Sequence, residues 1–487
     1  MGWSRSFGIL LPVTSLPESP LHGDLGPGAA RFGAFLHACG ASFWQVLPIN
    51  PPGPGNSPYA SPSSFAANAA LVSPARLVEE GLFDREDLEK LPPAEAHAQY
   101  EDGALRARVL RKAFEVARGC GYRATEFAAF CSREAPWLED WAFFAVAKKA
   151  FAGAPFWEWP EALARRHPQA LNQFSAENAE ALEQAKFEQF LFHLQWQALR
   201  ARLEPVKIIG DLPFYVALDS ADVWTHPELF KLGADLKPQA VAGVPPDYFS
   251  PDGQLWGNPV YRWEAHRETG FAWWKARIER ALSLYDVVRL DHFRGFAAAW
   301  EVPAGEPNAR HGRWVPSPGL ELFQALGENL PLIAEDLGFI TEDVVALREA
   351  LGIPGMAVLQ FAFDPRERSA FLPHNHRKNL VVYTGTHDNN TAEGWWEEEA
   401  SPEVRSFFRD YVGTDEPVHR ALIRVAFGSV ADLVVVPMQD VLGLPSRCRL
   451  NRPGTASGNW RFRLTGSQLG EEHAHWLRHL AWVFERL

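Results

Sequence analysis

Short apolar runs recur along the chain, each closing on a polar or proline-marked exit. In order they are FGILLP (7–12), FWQVLP (43–48), VKIIGDLP (206–213), DVVRLDH (286–292), LIAEDLG (332–338), MAVLQFAF (356–363), LVVYTGTHD (380–388) and LVVVPMQD (433–440). Runs of this length, rich in β-branched residues and bounded by turn formers, read as buried strands. Between them, RFGAFLHACGA, TEDVVALREAL and PEVRSFFRDYV carry apolar positions at helical spacing. Eight strands alternating with helices predict an α/β chain, a (β/α)8 TIM barrel.

From residue 75 to about 203 the strand pattern stops. ARLVEEGLFDREDLEKL, GALRARVLRKAFEVA, WLEDWAFFAVAKKAF and AEALEQAKFEQFLFHLQWQALRARL all show a 3.6-residue period with charged outer faces. The chain therefore divides into 1–74, holding the first barrel strands and a loop; 75–203, an inserted helical subdomain with solvated charge pairs; and 204–487, the remainder of the barrel. Two segments rich in Gly and Pro, PPGPGNSPYASPSSFAANAAL (51–71) and AVAGVPPDYFSPDGQLWGNPVY (240–261), read as long loops over the C-terminal mouth.

Among the strand exits, three that follow closely in the last part of the chain carry acids: Asp291 after the fourth, Glu335 with Asp336 after the fifth, and His387-Asp388 after the seventh. An acid at such an exit can be a helix N-cap or a solvated loop residue. Three at the C-terminal mouth of one barrel, where such barrels keep their chemistry, point to a shared site. Arg289 stands two residues before Asp291, hence on the same strand face.

Composition narrows the substrate. The 487 residues carry a net charge of −13 with no basic block, so nucleic acid and anionic membrane are disfavoured. Four cysteines, Cys39, Cys120, Cys131 and Cys448, lie far apart without a CxxC pair and are expected to be reduced and buried. The opening apolar run is too short for a signal peptide, and cytoplasm is the expected compartment. No GxGxxG, GxxxxGK[ST] or GxSxG motif occurs, and the histidines lack HExxH spacing, so neither a cofactor nor a metal is expected. The 19 Trp and 33 Phe are core material first, and aromatic faces for sugar rings where they are exposed.

VRLDHFRG, AEDLG and YTGTHDNNT, in that order, resemble the catalytic segments of the 4-α-glucanotransferases called amylomaltases or disproportionating enzymes, glycoside hydrolase family 77 of the α-amylase clan. The resemblance runs from LLPVTSLP to NRPGTASGNWRFR. It implies transfer of α-1,4-glucan segments between malto-oligosaccharides by a retaining mechanism, with Asp291 as nucleophile, Glu335 as acid then base, and Asp388 holding sugar hydroxyls. It also implies substrate contacts from Ser57, Tyr59, Asp211, Gln254, Trp256, Asn258, Arg289, His292, His387 and Asn451, with Ser61, Tyr215, Asp247 and Phe249 nearby and a substrate loop over 241–261. Pro54 and Asn56 depart from the pattern with Tyr and Asp at those places, which puts an accessory glucan site in doubt. A retaining α-1,4-glucan hydrolase and a non-catalytic glucan-binding protein are the alternatives; the second is disfavoured because all three acids are present.

Overall fold

In the computed structural model, which describes residues 4–93, 97–100, 103–246 and 250–487, eight parallel strands curl around a shared core. They are Ser6–Leu10, Phe43–Gln45, Lys207–Leu212, Val287–Leu290, Leu332–Ala334, Gly355–Val358, Leu380–Tyr383 and Leu433–Pro437, here barrel strands 1 to 8. Each overlaps one of the eight apolar runs, the first and sixth starting one residue before the run. The sheet runs in the order 6-7-8-1-2-3-4-5. Strand 5 meets strand 6 through Ala334 N–H to Pro354 O at 2.9 Å, which closes the ring. A closed parallel sheet is covered on both faces, so its strands are apolar throughout, as in Leu433–Pro437, where every residue is buried.

Helices wrap the outside. Pro27–Cys39 follows strand 1 and ends at Gly40, whose φ of 77° lets its N–H return to His37 O. Glu342–Ala350 and Val418–Gly428 lie between later strands, and Glu471–Val483 packs on Pro27–Cys39. Arg486 then ties the last turn to the barrel floor by donating to Ser6, Phe427, Ser429 and Ala431 carbonyls.

Residues 74–203 hold helices and, among the described residues, no sheet strand; the long ones are Gly103–Cys120, Ala124–Ala150 and Ala179–Leu203. The last of these is fastened to the barrel by buried polar side chains. Gln189 exchanges bonds with Ala67 N–H and C=O at 2.9 and 2.8 Å, Gln195 accepts from Ser73 N–H at 2.7 Å, and Trp196 donates to Leu284 O at 2.9 Å.

Two expectations change. The 240–261 segment is not a bare loop: Ala240–Val244 and Gln254–Pro259 form a hairpin in a four-stranded antiparallel sheet with Ala298–Pro303 and Arg313–Pro316. The pairing shifts register between Val241 and Gly243, and at Gly243 a Cβ would stand 2.4 Å from Gln254 O. Glycine here serves close strand approach, which by composition looks like a turn. Nor are the cysteines all buried. All four are free, but Cys39 alone is buried, and Cys120 is exposed where its helix ends at the surface. No helix of the described residues is long and apolar enough to cross a membrane.

Candidate active site

The ends of barrel strands 3, 4, 5 and 7 meet at one mouth. Backbone bonds continue the sheet past its last paired residues: Asp291 N–H reaches Leu212 O and Glu335 N–H reaches Leu290 O, each at 3.0 Å. His292 then turns into the left-handed region at φ 50°, unusual for a residue with a Cβ. The turn aims its N–H at Glu335 Oε2, 2.8 Å away, while Leu337 N–H reaches Oε1 at 3.3 Å. The carboxyl of Glu335 is thus held by the residue that follows Asp291.

Arg289 organises the charges. Its Nη1 donates to both oxygens of Asp211 at 2.8 and 2.7 Å, and its Nη2 stands 3.0 Å from Asp291 Oδ1. Burial pushes the Asp291 carboxyl up to about 6, against the pull of Arg289 and with a further push from Asp211. Glu335 is driven well above the carboxylate range by burial first and the charge of Asp291 second. Two acids so close titrate as a pair. Near neutral pH the proton rests on Glu335 and the charge on Asp291, whose side chain keeps 28% of its surface open to the cleft.

On the far wall, Asn451 Nδ2 donates to Asp388 Oδ1 at 2.6 Å, and Asn451 N–H reaches His387 O at 3.1 Å. His387 Nε2 lies 3.4 Å from the same Asp388 oxygen. Its ring stacks on Tyr59 with centroids 5.0 Å apart, and Trp460 leans against both at 5.9 and 6.0 Å. Opposite, the His292 ring meets Trp256 edge to face at 4.8 Å. Burial lowers His292 to about 4, with Arg294 adding to the effect, so the ring is neutral, and its Nε2 is buried without a partner.

The expected contact residues fall into three groups. Arg289, His292, His387 and Asn451 join the acids directly through the bonds above, and Tyr59 reaches them through the His387 ring. Asp211 lies behind them: its side chain is 0% exposed, and besides Arg289 it accepts from Tyr59 Oη at 2.7 Å, so it faces these two partners and not the open cleft. Ser57 accepts from Tyr59 N–H at 3.3 Å and shapes that loop, as Ser61 does by bonding Ser63 O at 2.8 Å.

The hairpin supplies the third group. Trp256 is 39% exposed and bonds Gln254 at 3.2 Å, whereas Asn258 donates to Val216 O at 2.9 Å and anchors the strand. Tyr215 sits under Trp256 at 6.1 Å, its hydroxyl buried without a partner. Asp247 and Phe249 lie outside the described residues.

Two residues escaped the sequence reading. Trp460 belongs to an aromatic wall assembled from three distant segments, and Arg449 donates to the backbone carbonyl of Asp388 at 2.5 Å. Neither contact leaves a periodic signal, although both residues lie in or beside the NRPGTASGNW stretch. Among the described residues no group of three or more His, Cys, Asp or Glu side chains is placed to hold a metal ion. An ionised carboxylate and a protonated one, facing a cleft walled by aromatic rings, can attack and protonate a glycosidic bond from opposite sides.

Comparison with known proteins points the same way. The family model described as 4-alpha-glucanotransferase, glycoside hydrolase family 77, matches residues 11–468. A 4-alpha-glucanotransferase of Thermus thermophilus is 46% identical across 99% of both chains. One from Synechocystis sp. is also 46% identical, over 99% of this chain and 97% of its own. The structure of an amylomaltase from Streptococcus agalactiae in complex with acarbose superposes with a TM-score of 0.96 at 36% identity, covering 99% of each chain.

Proposed function

Since the chain belongs to the 4-α-glucanotransferases of glycoside hydrolase family 77, we propose that Asp291 and Glu335 carry out its glucan transfer by retaining double displacement. Glu335 protonates the glycosidic oxygen while Asp291 attacks the anomeric carbon from the opposite face, giving a β-glycosyl ester and releasing the reducing-end fragment. The 4-hydroxyl of a second glucan then gives its proton to Glu335 and displaces Asp291. Two inversions return the α-linkage.

The observation that carries this reading is the setting of the two carboxyls: Glu335 is held by the N–H of the residue after Asp291 at 2.8 Å, while Asp291 has Arg289 Nη2 at 3.0 Å. Glu335 is held neutral by burial beside the Asp291 charge, and Arg289 keeps Asp291 ionised at neutral pH. Asp388, braced by Asn451 and His387, takes hydroxyl hydrogen bonds that tighten as the sugar ring flattens. Trp256, 39% exposed, offers its ring to a sugar, while Tyr59 and Trp460 pack behind His387 and hold its ring in place. Asp211 acts through Arg289 and Tyr59. Donor and acceptor are α-1,4-glucans and malto-oligosaccharides. The hairpin beside the mouth favours a sugar over water by covering the bound intermediate. Four free thiols suit a reducing compartment, and we place the protein in the cytoplasm.

Incubation with maltotriose tests the reading. Longer oligomers should appear with glucose while total reducing ends stay constant. Rising reducing ends with only shorter products would make the enzyme a hydrolase instead.

A further inference from the structure

The segment that carries Asp388 leaves barrel strand 7 as an irregular turn, and its hold on the catalytic carboxylate comes from elsewhere in the chain. Asp388 accepts from Asn451 through its side chain and from Arg449 through its backbone carbonyl. The same guanidinium donates through Nε to Asn451 O at 2.7 Å. One planar group therefore fixes the backbone on both sides of the 2.6 Å Asn451–Asp388 bond.

Arg449 is itself aimed. Its Nη1 stands 3.2 Å from Glu399 Oε1, which also accepts from Asn390 Nδ2 at 3.0 Å. Asn390 belongs to the Asp388 segment, so the loop from strand 7 is gripped at two points by one ion pair. Glu399 closes the π-helical turn Trp395–Glu399, which follows Ala392–Gly394 directly. A π turn adds a residue and swings the side chains after it to a new direction, a device found often at functional sites. Here it delivers Glu398 to Ser446 Oγ at 2.9 Å and Glu399 to Arg449, tying that turn to the 446–451 loop.

We propose that Arg449, oriented by Glu399, is a positioning residue that sets the Asp388–Asn451 geometry for the transition state. The inference rests on the reading of Asp388 given above. Arg449 is 17% exposed on its side chain and its guanidinium is engaged by Asp388 O, Asn451 O and Glu399 Oε1, so its influence on the sugar passes through Asp388 and Asn451. Displacing a catalytic group by about 1 Å costs on the order of 100-fold in rate. Asp388 works on the flattened sugar more than on the bound ground state, so the loss falls on kcat and spares KM.

Maltotriose transfer kinetics, inhibition by acarbose and thermal melting of Arg449→Ala, Arg449→Lys, Glu399→Ala, Glu399→Gln and Asp388→Asn test this. Acarbose carries an unsaturated ring that imitates the flattened sugar. Arg449→Ala should lose about 10- to 100-fold in kcat with KM within about 3-fold, and its acarbose inhibition constant should rise in step with the fall in kcat/KM. Arg449→Lys, which cannot reach three acceptors at once, should show the same pattern more weakly in a folded protein. Glu399→Gln, still an acceptor, should recover most of the activity that Glu399→Ala loses. Folded Arg449 variants with kcat within about 2-fold of the parent, or with unchanged acarbose affinity, overturn the inference. Asp388→Asn separates the two failures: if inactive beside unimpaired Arg449 variants, only this inference falls; if active, the role of Asp388 falls first and this inference with it.

Discussion

Replacing Arg289 by Met removes the guanidinium that faces both Asp211 and Asp291 while keeping an unbranched, mostly buried chain. With its carboxyl at about 6, Asp291 is about 90% ionised at pH 7. An opposite charge at hydrogen-bond distance lowers a carboxylate by about 1 to 3 units. Its loss should therefore carry Asp291 to about 8, leaving about 10% ionised at pH 7 and cutting kcat/KM roughly 9-fold from protonation alone. Arg289 also lowers Glu335, so that group rises too, and both limbs of the bell-shaped pH profile should move to higher pH together. Buried Asp211 is left unpaired, which costs about 3 to 5 kcal/mol of stability. The assay is maltotriose transfer from pH 5 to 10, with circular dichroism to select conditions where the variant is folded. An acid limb that stays near pH 6 in a folded variant would refute the role given to Arg289.

The remaining predictions concern the acids and their brace. Asp291→Asn should be inactive yet more stable than the parent at pH 8 by about 3 kcal/mol, because the parent must bury a charge there. The sign follows from a folded-state value raised above the unfolded one: the parent recovers stability as pH falls through about 6 toward 4, so the gap should close over that window in melting curves. A constant difference across pH would exclude a perturbed Asp291. Asn451→Asp sets a carboxylate where an amide now donates to Asp388 at 2.6 Å. Repulsion should lower kcat on maltotriose about 100-fold or more, and a change confined to KM would argue against the brace.

The barrel was legible because closed parallel strands are buried on both faces, which writes each one as a compact apolar run with a polar exit. The acids were legible for the same reason, as charges set where those runs stop. The small sheet was hidden because Gln254–Trp256 is exposed and Gly243 and its neighbours look like turn material. Arg449 was hidden more deeply, since it binds backbone carbonyls, one of them 61 positions away, and carbonyls have no residue type. The burial of Asp211 likewise depends on Tyr59, 152 positions distant, and no local pattern records it. Cys120 shows the limit of residue-type rules: an apolar thiol can end a surface helix.

The most direct test of the mechanism is to trap the covalent intermediate. Glu335→Gln cannot protonate a sugar leaving group, but α-maltosyl fluoride needs no such help, and the missing base slows the second step. Peptide mass spectrometry after incubation should find a maltosyl adduct on Asp291. An adduct on another side chain, or fluoride release with none on Asp291, would contradict the account.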